Sequence, residues 1–132
     1  MYSRGLIVIP AYNEEASILE VLKNVKDLII DVDIVVIDDG SSDSTIDKLK
    51  SSEIDFVKHG SNLGYVNTLR TGLKLGVCEF RPFICFLDAD GQHRAEDLRD
   101  MILDFKTRIS GGEDIDLMIG SRFLTKGELL QV

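Results

Sequence analysis

FICFLDADGQH, residues 83–93, decides how the chain is read. Its first part, Phe83 to Leu87, is a continuous apolar run, and it breaks into Asp88, Ala89, Asp90, Gly91 and Gln92. A run of this size bounded by a glycine-containing polar loop predicts a buried strand. Two carboxylates one residue apart at the end of such a strand are costly unless something positive lies between them. A hard divalent cation with oxygen ligands, or a cation carrying phosphate, meets that need. An ordinary Asp-Gly turn with solvated carboxylates is the competing reading, and a lone D-x-D does not separate the two.

Upstream, Leu6 to Pro10 (LIVIP) is a second buried run, ended by Pro10 and followed by AYNEE. Asn13 is placed to cap a helix with Glu14 and Glu15 in its first turn and Ile18, Leu19, Leu22 and Val25 as its apolar stripe. A third run, Asp33 to Ile37, ends in DDGSSDST (residues 38–45). There Gly40 permits a sharp turn, and Ser41, Ser42 and Asp43 are all competent caps for a short helix. Ile54 to Val57 reads as a short strand, with His59 after it as a solvated loop residue. SNLGYVNTLRTGLKLG (residues 61–76) predicts a helix capped near Asn62, with Leu69, Leu73 and Leu75 apolar and Gly76 as the stop. Downstream, Arg94 to Ser110 predicts a long helix with Leu98, Met101, Ile102, Phe105 and Ile109 inward, stopped by Gly111-Gly112. Leu117 to Ile119 is a last short strand, ending in Gly120-Ser121-Arg122; an arginine just past a strand end is a candidate anion ligand.

Strand and helix alternate throughout, which predicts an α/β fold, Rossmann-like and three-layered (α/β/α), with a mainly parallel sheet. Right-handed crossovers would place the polar strand ends AYNEE, DDGSSD, DADGQH and GSR on one edge of that sheet. Ligands of such sheets bind outside the carboxyl ends, where strand order reverses. This shared placement favours a binding site over an isolated turn.

The chain has 132 residues, 44% hydrophobic and 29% charged, enough for one globular domain. A net charge of −8 without a Lys/Arg cluster argues against nucleic-acid binding and against a basic membrane surface. An anionic substrate remains compatible, because a bound metal inverts the local sign. Cys78 and Cys85 are too few, and too poorly accompanied by histidine, for a zinc site or disulfide framework. Cys85 is expected to be a buried thiol, and the pair points to a reducing compartment. No apolar segment approaches the ~18 residues of a membrane span, so a soluble, cytoplasmic chain is expected.

Taken in order, IPAYNEE, DDGSSDST, NLG with LRTG, LDADGQH and GSR resemble the family-2 glycosyltransferases of GT-A fold, and within them the branch that makes polyprenyl-phosphate sugars. The resemblance covers essentially the whole chain. It implies that Pro10, Ala11, Tyr12 and Glu14 wrap a nucleotide base and ribose, and that Ile37 and Asp39 face the base, with Asp39 accepting from a base N–H. It implies Asp88 and Ala89 beside the ribose and phosphates. It further implies Asp90 and Gln92, with Asp88 close by, as ligands of a Mg²⁺ or Mn²⁺ on the diphosphate, and Arg122 near the diphosphate or an acceptor phosphate. The implied reaction is an inverting sugar transfer from a GDP- or UDP-sugar to a polyprenyl phosphate, performed at the cytoplasmic membrane face. A polyprenyl phosphate is already ionised near neutral pH, so no general base would be obligatory.

The sequence also departs from that pattern. Tyr65, Val66 and Asn67 stand where the family more often has a Lys-Gly-Ala-like stretch, and Arg94 and Ala95 replace prolines. The chain stops at Val132, where the family continues into acceptor-side elements. The expectation is therefore a single donor-binding domain, residues 1–132, truncated at its C-terminal end, with poor turnover alone and a sheet edge that favours self-association. A non-catalytic nucleotide-sugar-binding module is the alternative. A phosphatase of the haloacid-dehalogenase type would place its Asp-x-Asp loop after the first strand, and a sugar nucleotidyltransferase would need a glycine-rich loop where PAYNE stands.

Overall fold

The structure, a computed structural model, describes residues 4–120 and the backbone of 129–131. Two compact units divide the chain, one running through His93 and one from Arg94 onward.

In the first unit, strands β1 (Gly5–Ala11), β2 (Val32–Asp38), β3 (Asp55–Lys58) and β4 (Ile84–Phe86) alternate with helices α1 (Ile18–Leu28), α2 (Thr45–Ser52) and α3 (Tyr65–Cys78). All pairings are parallel and the strand order is β3-β2-β1-β4. The α/β expectation holds. Right-handed connections carry the chain outward from β1 to β3 with α1 and α2 on one face, then back to β4 with α3 on the other. Strand order reverses between β1 and β4, so the switch point opens at their carboxyl ends.

β1 is buried along its whole length because both its faces and both its edges are covered. Pro10 does not end it; the strand continues through Ala11, in register with Asp38. A proline is tolerated there because its nitrogen faces the β4 side, where pairing has already stopped at Val8 and Phe86. Leu6, Val8, Val35 and Ile37 form one cluster of the core, with Val57, Leu75 and Ile84 packed on it.

The helices differ from expectation in what they bury. α1 starts at Ile18, not at Asn13, and buries Val21 where Leu19 was expected; Leu19 is exposed. α3 runs on through Gly76 to Cys78 and is preceded by Gly64, not Asn62. Its buried residues are Thr68, Gly72 and Gly76, four apart, while Leu73 is exposed. Small residues win this face because the backbones approach closely: a Cβ on Gly72 would lie 2.2 Å from Cγ1 of Val8, and one on Gly76 2.4 Å from Cδ1 of Ile84. At the amino edge of the sheet, the Arg81 guanidinium pairs with Asp33 and Glu79.

The second unit holds helix α4 (Ala95–Ser110) and an antiparallel ladder of β5 (Met118–Gly120) and β6 (Leu129–Gln131). α4 buries Ala95, Leu98 and Ile102, and Ile109 is exposed. β5 joins this separate ladder instead of the parallel sheet, so its end is not one of the main sheet's carboxyl ends as expected. Three apolar residues carry no signal of pairing direction.

Candidate functional site at the carboxyl rim of the sheet

Three loops converge at the carboxyl ends of β1, β2 and β4. The first two are laced together by short polar side chains. Asn13, at φ 51°, accepts from the Ser42 and Asp43 backbone N–H groups at 2.9 and 3.3 Å and donates its own N–H to the Ser41 hydroxyl at 2.9 Å. Glu14 N–H donates to the Thr45 hydroxyl at 3.0 Å, and Ser44 N–H donates to the Glu15 carboxylate at 3.0 Å. Asn13 and the DDGSSD serines thus act across the loops and not as caps of their own helices; α2 follows Ser44, with Asp43 accepting from Thr45 N–H at 2.9 Å. The third loop joins through Ser17, whose hydroxyl donates to the Ala89 carbonyl at 2.6 Å.

Pro10 and Ala11 are buried in β1, and the Ala11 carbonyl accepts from Asp39 N–H at 2.9 Å. Tyr12 projects from the rim, exposed. Ile37 is fully buried in the core. Its place is beneath the rim, and the base-facing role implied for it has no side-chain surface to use. Asp39 is only 3% exposed. Its Oδ1 accepts from the His59 ring at 2.8 Å and from Leu63 N–H at 2.8 Å, and Oδ2 accepts from Gly64 N–H at 2.9 Å. Burial alone would raise the Asp39 pKa, but these donors and the His59 imidazole outweigh it and hold the carboxyl below its usual range. His59 itself is buried, contrary to the solvated loop residue expected. No local pattern revealed this, because its partners lie 20 residues upstream (Asp39) and 12 downstream (Thr71).

At the end of β4, Asp88 accepts the Tyr65 hydroxyl at 2.8 Å, and the His93 ring lies 3.7 Å from its other oxygen. Burial, the bond to Asp88 and the charges of Asp88 and Asp90 push the Tyr65 phenol up to about 12, so it stays a donor at neutral pH. Ala89 is buried; Asp90 is exposed and accepts Gln92 N–H at 2.9 Å; Gln92 is exposed. Glu14, the nearest acid of the first loop, has a raised pKa: burial raises it, the Ser17 hydroxyl opposes, and the Asp90, Asp43 and Asp88 charges raise it further.

Tyr12, Glu14, Asp39, Asp88, Ala89 and Asp90 therefore lie on one rim, as the convergence of loops requires. Arg122 lies outside the described residues. Among the described residues no three His, Cys, Asp or Glu side chains form a metal cage. Mg²⁺ in phosphate-handling sites takes one or two carboxylates with phosphate oxygens completing the shell, so Asp88 and Asp90 are a sufficient protein share. These hard oxygen donors fit a divalent cation.

Fold and rim define a doubly wound α/β unit with an acidic edge at its switch point. The chain matches the model of glycosyl transferase family 2 over residues 6–111 and belongs to that family. It is similar to an undecaprenyl-phosphate mannosyltransferase of Micrococcus luteus, 31% identical over 96% of this chain and 51% of that protein. It is also similar to a UDP-N-acetylglucosamine–dolichyl-phosphate N-acetylglucosaminyltransferase of Methanococcus voltae, 32% identical over 73% of this chain and 45% of that protein. The chain spans about half the length of these relatives. Its fold is similar to glucosyl-3-phosphoglycerate synthase of Mycobacterium tuberculosis, solved with Mn²⁺, UDP-glucose and phosphoglyceric acid, with TM-score 0.66, 24% identity and coverage of 86% of this chain and 41% of that one.

Proposed function

We propose that the rim is the donor site of an inverting glycosyltransferase that takes a UDP- or GDP-sugar and passes the sugar to a polyprenyl phosphate with divalent-metal assistance. One observation carries the reading: carboxylates from β1, β2 and β4 gather at the switch point of a family-2 glycosyltransferase chain. Relatives that act on dolichyl or undecaprenyl phosphate, and a structural neighbour holding Mn²⁺ with UDP-glucose, support the donor, metal and acceptor classes.

In this reading Tyr12 covers the base from the exposed side, Pro10 and Ala11 shape the floor, and Asp39 accepts from a base N–H. Glu14 and Ala89 border the ribose and phosphates. Asp88, Asp90 and Gln92 would hold the Mg²⁺ or Mn²⁺. When bound, the ion supplies Lewis-acid neutralisation of the charge left on the departing diphosphate. Tyr65 restrains the Asp88 carboxylate through its hydroxyl, and Asp90 presents its oxygens to the open side. A lipid-phosphate acceptor would bring the protein to the membrane face; among the described residues no helix is long and apolar enough to cross a membrane.

Donor binding and sugar transfer are the two readouts that separate this reading from a donor-binding module. Incubation with UDP- and GDP-sugars, Mn²⁺ and a polyprenyl monophosphate, followed by NMR of the anomeric carbon, tests this. Slow product with inverted configuration supports the transferase. Binding without product favours a donor-binding module, and retained configuration contradicts the mechanism.

A further inference from the structure

We propose that His59 is a positioning residue that aims Asp39 at the nucleotide base, an inference that rests on the donor-site reading above. His59 follows β3, and its backbone N–H donates to the Asp38 carbonyl at 2.8 Å. That bond fixes the start of its side chain against the end of β2. Both ring nitrogens are engaged: Nδ1 with Asp39 Oδ1 at 2.8 Å and Nε2 with the Thr71 hydroxyl at 2.8 Å. The Thr71 oxygen also lies 2.9 Å from the Asn67 carbonyl. Its single proton therefore has two uses. It donates to Nε2 when that nitrogen is bare, or to Asn67 when Nε2 carries a hydrogen and donates into the hydroxyl. In either arrangement Nδ1–H faces Asp39, so the grip on the carboxylate does not depend on the second ring proton.

An ionised carboxylate offers about four acceptor directions. His59 and Leu63 fill both on Oδ1, and Gly64 fills one on Oδ2. One direction on Oδ2 is left. With three donors fixed, the carboxylate cannot rotate, and the remaining lone pair keeps its aim for an imide or amide N–H of the base. Thr71 acts one step further out, holding the ring. Leu63 and Gly64 anchor the 59–64 loop whether or not the ring is present. Removal of the ring should therefore loosen the aim of Asp39 more than it loosens the fold.

Three variants of the purified chain separate these roles. His59→Asn keeps an amide donor near the Nδ1 position, His59→Gln moves it out to the Nε2 position, and His59→Leu removes both. Calorimetry would use UDP and GDP, each with Mn²⁺, and Mn²⁺ with pyrophosphate as a probe that lacks the base. His59→Gln and His59→Leu are expected to lose roughly tenfold in affinity for the nucleotide that wild type prefers, and none for pyrophosphate. His59→Asn should retain most of the nucleotide affinity. Equal loss for nucleotide and pyrophosphate would make His59 merely structural, and undiminished nucleotide binding by Gln and Leu variants would remove its role while leaving the donor site standing. Wild type that binds neither nucleotide overturns the donor-site reading and this inference together. Should the leucine variant not fold, the contrast between Asn and Gln decides.

Discussion

Gly72→Ala tests how the site is held, because α3 carries Gly64 and Tyr65 at its amino end and seats itself on β1 through Gly72. In a free helix this substitution stabilises by about 1 kcal/mol, since alanine has less backbone entropy to lose. Here the new methyl would lie 2.2 Å from Cγ1, 3.0 Å from Cγ2 and 3.1 Å from Cβ of Val8. Val8 is fully buried and β-branched, so it has little room to turn aside. Relief requires α3 to move off the sheet, an overpacking cost of about 1–3 kcal/mol. The net expectation is a loss of about 0–2 kcal/mol, the difference of those two ranges. Urea unfolding followed by circular dichroism measures it, with Val8→Ala as a second background. Removing the two contacted methyls should make Gly72→Ala less harmful, or stabilising, in that background. A gain of a full helix-propensity increment in wild type would refute the close approach of α3 to β1.

Asn13→Ala removes the acceptor that ties the β1 and β2 loops and places alanine at positive φ; a loss of about 2 kcal/mol is expected, with Asn13→Gly losing less, by the same unfolding assay. Acid titration of stability reads Asp39. Its folded pKa is depressed, so the folded state binds fewer protons there than the unfolded chain, and the stabilisation is present above the ordinary carboxylate pKa of about 4 and lost as pH falls through the lower folded value. Asp39→Asn should start less stable at neutral pH and show a shallower acid dependence; an unchanged slope would contradict the assignment. Tyr65→Phe leaves Asp88 without its hydroxyl donor and should weaken Mn²⁺-dependent nucleotide binding about fivefold with little change in stability, as measured by calorimetry.

β1 and β2 were legible because they are largely buried and read as apolar runs ending abruptly in polar residues; β4 was legible because its run breaks into Asp88-Ala89-Asp90, although Phe86 itself is exposed. The shared rim followed from right-handed parallel connections, whereas the order β3-β2-β1-β4 was not read from the sequence. The sheet-facing side of α3 was not legible, since close packing selects Gly72 and Gly76 while apolar periodicity selects leucines. Nor was the lacing of the rim: Asn13, Ser17 and His59 find partners 28 to 72 residues away or, for His59, in two different elements. Cap propensity names the residue type that wants a backbone partner but not which backbone it will find. Cys85 was legible as a buried thiol, and burial pushes it up to about 12.

Titration calorimetry of the chain with UDP and GDP, with and without Mn²⁺, reaches the central claim most directly when repeated on Asp90→Ala. Three loops gathered around a cation predict binding by wild type that depends on Mn²⁺ and is lost in the variant. Equal binding by both proteins, or binding indifferent to the metal, would contradict it.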